Sequence, residues 1–68
     1  MNPKKIAEKL IRMRECKELT QNDLAKKLEI SPAAVSAYEC GERIPRDEIK
    51  KKIAEFFDKT VQEIFFDD

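Results

Sequence analysis

Between Thr20 and Gly41 this chain carries two helix-starting signals and one helix-stopping signal. They stand too close together for anything but two short helices joined by a tight turn. Thr20, with Asp23 three residues on, is an N-terminal cap of a shortened capping-box kind. Ser31-Pro32 is a second start, where the hydroxyl caps and proline takes the first helical turn, in which its missing N–H costs nothing. Gly41 supplies the left-handed residue that commonly follows a helix C-terminus. Leu24 and Leu28 form the apolar face of the first helix, and small Ala25 sits where the two helices cross.

The flanking segments extend the helical pattern. Asn2 caps a first helix with Pro3 at its tolerated position, and Ile6, Leu10 and Met13 recur at helical spacing. A fourth helix is expected over about 46–57, with Asp47 and Glu48 at its positive end and Ile49, Ile53, Phe56 and Phe57 on its apolar side. Thr60-Val61-Gln62-Glu63 is a full capping box, so a short fifth helix begins there and turns Val61, Ile64 and Phe65 inward. No strand signal interrupts this order. The expected fold is all-α: one compact five-helix domain over residues 1–68, with Leu10, Leu24, Leu28, Val35, Tyr38, Ile53, Phe57 and Ile64 in its core. Phe56, Phe65 and Phe66 are more than so small a core needs, which leaves core completion or an apolar dimer contact for them. Lys50-Lys51-Lys52 diverge around a helix and read as a solvated face.

Composition narrows the function classes. The charges balance, 14 Lys+Arg against 14 Asp+Glu, which does not favour a generic polyanion binder. Residues 1–30 carry 8 basic and 5 acidic side chains; residues 31–68 carry 6 and 9. Cys16 and Cys40 are too few for a disulfide framework, and with no histidine a four-ligand zinc site would need unusual ligands. They read as reduced thiols of a cytoplasmic protein. No apolar run approaches the ~20 residues of a membrane span. With no histidine, no glycine-rich phosphate loop and no nucleophile–base set, an enzyme is not expected. Nothing points to a cofactor or a small-molecule ligand.

Leu19-Thr20-Gln21, Leu24-Ala25, Leu28, Ile30-Ser31, Val35-Ser36, Tyr38-Glu39, Gly41 and Pro45 together resemble the Xre-type helix-turn-helix family, which includes Cro and the lambdoid phage repressors. The resemblance runs from about Leu10 to Phe65. It implies that the third helix lies in the major groove of double-stranded DNA. With Val35 and Tyr38 inward, Pro32, Ala33, Ser36 and Ala37 point outward, and Ser31 can reach DNA beside them. The resemblance also implies a phosphate contact from Gln21 and an ion pair between Arg14 and Glu39. Arg43 and Arg46, in the following loop, are candidate phosphate or minor-groove contacts. Lys27 is a further candidate, and Arg14 can touch a phosphate as well.

Two departures stand out. The outward face carries no Arg, Asn or Gln, so bidentate reading of guanine or adenine is missing and sequence choice leans on shape and spacing. Glu29 occupies a turn position where the family often has glycine, at a cost of roughly 1–2 kcal/mol if it is left-handed. The expectation is a sequence-specific DNA-binding transcriptional regulator of the repressor kind, acting as a homodimer on an inverted repeat, with the fourth and fifth helices, Phe65 and Phe66 as its interface. The alternative is an antitoxin-like protein-interaction module with DNA binding secondary, motivated by the acidic C-terminal end and the surplus phenylalanines.

Overall fold

The structure is a computed structural model and describes residues 1–66. Four α-helices follow in order: α1 Pro3–Cys16, α2 Gln21–Leu28, α3 Pro32–Glu39 and α4 Asp47–Phe56. A fifth short element, α5, spans Gln62–Phe66 and is wound as a π-helix. Each of the first three helices starts at a side-chain cap. Asn2 accepts from the Lys4 and Lys5 amides, Thr20 from Asp23 and Ser31 from Ala34. Thr20 and Asp23 close a reciprocal capping box, with both hydrogen bonds at 3.0 Å. Thr60 and Glu63 make the same reciprocal pair ahead of α5.

The helix ends share one device. After α1, α2, α3 and α4 the chain turns left-handed at Glu18, Glu29, Gly41 and Asp58. At each end the two amides that follow reach back to carbonyls of the last turn, as with Glu29 N to Lys26 O and Ile30 N to Ala25 O. This is the paired closure of a Schellman turn. Glycine serves only once. A carboxylate residue takes the αL position at the other three ends, against both its conformational preference and the negative end of the helix dipole. Behind α2 the Lys52 ammonium offsets this, donating to Leu28 O at 3.3 Å and lying 4.0 Å from the Glu29 carboxylate.

One apolar cluster draws on every element: Ile6 and Leu10 of α1, Leu24 and Leu28 of α2, Val35 and Tyr38 of α3, Ile53 of α4 with Phe57, and Ile64 and Phe65 of α5. Two expectations are corrected here. Phe65 is 1 % exposed; α5 folds back onto α1 and sets adjacent Ile64 and Phe65 inside, as the capping box leads one to expect, so Phe65 is withdrawn from the proposed interface pair and only Phe66 faces outward. Lys50 is buried rather than solvated. Its stem is covered while its ammonium lies 5.9 and 5.3 Å from the Phe65 and Phe66 rings and 3.5 Å from Asp47, an amphipathic chain packing its methylenes and keeping its charge partnered. Lys51 and Lys52 are exposed. Asp67 and Asp68, which carried the acidic-end argument, lie outside the described residues.

Candidate nucleic-acid interface

Helix α3 divides cleanly by face. Ala34, Val35, Tyr38 and Glu39 are buried. Ser31, Pro32 and Ala33 are exposed, and Ser36 and Ala37 are half-buried. The outward surface is therefore short-chained and nearly flat. Ser31 Oγ accepts from Ala34 N at 3.1 Å, which occupies a lone pair and leaves its own proton free to donate. Cys40 belongs to this surface as well. It is exposed, keeps right-handed helical backbone angles (φ −90°, ψ −8°) and stands one turn beyond Ser36. Cys40 follows the last helical residue, Glu39, as the C-cap of α3, and the outward set read from the sequence does not include it.

The face is held in place from behind by a charged cluster. Arg14 Nε donates to Glu39 Oε2 at 2.7 Å, Nη2 to Glu39 Oε1 at 3.0 Å and Nη1 to Leu19 O at 2.8 Å. Gln21 Nε2 donates to the same Glu39 Oε1 at 3.0 Å. The two charged side chains are 14 % and 3 % exposed. One carboxylate thus ties α1, the start of α2 and the end of α3 together. The hydrogen bond with Glu39 holds the guanidinium above its ordinary pKa, and the attraction of Glu39 and Glu15 adds to it against the cost of burial. Arg14 is directed inward. Gln21 is directed along the surface toward Glu39, half-buried, with its amide oxygen uncommitted to that bond.

Around this face stand the remaining candidates. Arg43 is exposed, and its guanidinium lies 5.6 Å from the Tyr38 ring centre, a stacking contact that limits where the side chain can swing. Arg46 is exposed at the start of α4 and makes no side-chain cap there. Lys27 is exposed on the last turn of α2. At the other end of α2, Gln21 and the exposed Asn22 follow the Thr20 cap, where backbone amides lack intrahelical acceptors. Asp23 there sits below the ordinary carboxylate pKa, held first by the hydrogen bond from the Thr20 backbone and then by the Thr20 side chain. Among the described residues no group of three or more potential metal ligands exists, and no helix is long and apolar enough to cross a membrane.

The geometry has sequence counterparts. The Helix-turn-helix family profile matches residues 10–64. The HTH-type transcriptional activator BcrR of Enterococcus faecalis is 42 % identical over 57 residues, which is 84 % of this chain and 28 % of that protein. An endothelial differentiation-related factor 1 homolog of Danio rerio is 37 % identical over 51 residues, 75 % of this chain and 35 % of its own length. An uncharacterized HTH-type transcriptional regulator of Methanocaldococcus jannaschii is 42 % identical over 57 residues, covering 84 % of this chain and 86 % of its own. The chain thus spans about a third of the first two relatives and most of the third. With a profile match across α1 to α5 and these identities, the chain belongs to the Xre-type helix-turn-helix family.

Proposed function

We propose that this helix-turn-helix transcriptional regulator reads specific duplex sites through α3 and does so as a homodimer on an inverted repeat. The observation that carries the reading is the exposed, short-chained face of α3. Ser31, Pro32, Ala33, Ser36 and Ala37 form a surface that can approach base edges closely. Alanine methyls meet thymine methyls, and the serine hydroxyls donate or accept. Gln21, with the free amides of the α2 N-terminus, supplies a phosphate contact. Arg43, Arg46 and Lys27, all exposed, supply positive charge for further backbone contacts. Arg14 acts on this reading as a positioning residue: its nitrogens hold Glu39 rather than the duplex.

Dimensions support the two-fold arrangement. The domain measures 26 × 24 × 22 Å. Two such bodies side by side bring their α3 helices within reach of half-sites about one helical turn, ~34 Å, apart. Bound at a promoter, the pair would exclude other proteins from that turn of DNA, which is the repressor sense; a reporter carrying the selected site reads the sign.

Selection of bound sites from random duplex DNA, repeated over a salt series, tests the proposal. Enrichment of an inverted repeat with one-turn spacing and affinity falling with salt is the expected result. No enrichment, or affinity indifferent to salt, overturns it.

A further inference from the structure

Arg12 and Arg14 stand two residues apart on α1, about 200° around its axis. Arg14 turns toward α3. Arg12 turns the other way, onto a groove between α1 and the segment leading into α5. Two adjoining hollows of about 360 and 350 Å³ make up this groove, and both are lined by Arg12, Met13 and Lys59. Ile64 closes the floor of one and Phe57 that of the other.

The rim is cationic. Among the described residues Arg12 and Lys59 make no ion pair and no side-chain hydrogen bond. The Lys17 ammonium lies 5.5 Å from the Phe56 ring centre instead of on a carboxylate. Lys9 donates to the Glu63 carbonyl at 3.0 Å and ties the two walls together, so the groove is braced. Among the described residues Glu63 is the one carboxylate lining the groove; Glu8 and Glu15 border a separate depression on the far side of Arg12. An apolar floor with an excess of uncommitted positive charge is complementary to one kind of chain segment.

We propose that this groove docks an acidic peptide segment of a partner protein, with apolar side chains seated on the Met13 and Phe57 floor and carboxylates answering Arg12, Lys59 and Lys17. A nucleic-acid backbone brings charge but nothing for the floor. The groove opens on a different side of α1 from the one that packs on α3, so peptide and duplex can be held together.

The full chain, isotopically labelled, is titrated with a 14-residue peptide alternating Asp/Glu with Leu/Phe, and followed by amide NMR. Shifts concentrated at Met13, Cys16, Lys59 and Ile64 are expected. Arg12→Glu combined with Lys59→Glu, both at exposed positions, should weaken the peptide about ten-fold or more while the domain stays folded, with a slightly lower melting temperature from the new Glu8 and Glu15 repulsion, and keeps its duplex binding. A peptide of the same charge with Ser in place of Leu/Phe should bind measurably worse. Equal binding of that Ser peptide, shifts centred on Ser36 and Arg43, unchanged affinity of the double variant, or stronger attachment to phosphatidylserine vesicles than to the peptide would each overturn the proposal.

Discussion

Replacing Glu39 by alanine removes one side chain and three hydrogen bonds, two from Arg14 and one from Gln21. What remains is a guanidinium, 14 % exposed, that keeps only the Leu19 carbonyl. Breaking a buried pair from one side costs about 3–5 kcal/mol, because a charge is left in poor surroundings. Arg14 has some water access and can relax toward it, so about 3 kcal/mol is the expected loss. A domain of this size has only about 3–10 kcal/mol of total stability, so Glu39→Ala should stand near the edge of unfolding at room temperature. Glu39→Gln keeps the volume and one acceptor oxygen and should lose about half as much. The paired change Arg14→Met with Glu39→Leu removes both charges into an apolar setting and should recover to within ~1 kcal/mol of the parent. Urea titrations followed by circular dichroism on the parent, Arg14→Met, Glu39→Leu and the double variant give the coupling directly. A Glu39→Ala loss below ~1 kcal/mol would refute the reasoning, since that is the behaviour of a solvated surface pair. The double variant also separates roles: if Arg14 only positions α3, duplex affinity returns with the fold; if it touches phosphate, affinity stays low.

Glu29→Gly should raise stability by about 0.5–1 kcal/mol, the relief of a left-handed carboxylate residue at φ 58° less the extra freedom glycine gives the unfolded chain; a lower melting temperature would contradict this. Asp23 has a depressed pKa, so its capping contribution is present above the ordinary carboxylate pKa and is lost as pH falls through the lower folded value. Stability should therefore drop on acidification below about pH 4, and Asp23→Asn, which still offers an oxygen to the Thr20 amide, should flatten that part of the profile in chemical denaturation. Arg43→Ala should weaken binding to all duplexes alike, whereas Ser36→Ala should change the choice among sites; affinity and site choice that are unchanged for both place the docking face elsewhere.

Local signals made most of this fold legible. Asn2, Thr20, Ser31 and Thr60 each cap the element they precede because a short polar side chain can satisfy its own helix's first amides without help from the rest of the chain. Gly41 and Glu29 were readable for the same reason, one as a residue that enjoys φ > 0 and one as a residue that must endure it. Lys50 was not, because its fate depends on how α5 folds back rather than on its own neighbourhood. The surplus phenylalanines left core completion and a dimer contact both open along the chain; in three dimensions Phe65 completes the core, with the Lys50 ammonium beside its ring. The site divides in the same way. The outward residues of α3 follow from helical spacing alone. That Gln21 would share Glu39 with Arg14, and that Arg43 would lie over Tyr38, follows only from the packing of α1 and the α3–α4 loop.

The charge on the proposed interface sets how strongly one copy can bind, and this turns the oligomeric question into a number. Per domain the cations framing α3 are Arg43, Arg46 and Lys27, all exposed, with Gln21 contributing a neutral contact. Each phosphate neutralised steepens the salt dependence by about 0.9 in logarithmic slope. One domain should therefore show a slope near −2.7, and two on an inverted repeat a slope near −5.4. Between 50 and 200 mM salt the first loses about forty-fold in affinity and the second about 1,800-fold. A zero net charge offers no long-range excess to hide this difference, so the slope reports contacts rather than bulk attraction. Fluorescence anisotropy on a full inverted repeat and on an isolated half-site, at matched salt, gives both slopes. Equal shallow slopes on the two duplexes would mean that a single copy binds each of them, and the two-fold arrangement would have to be abandoned.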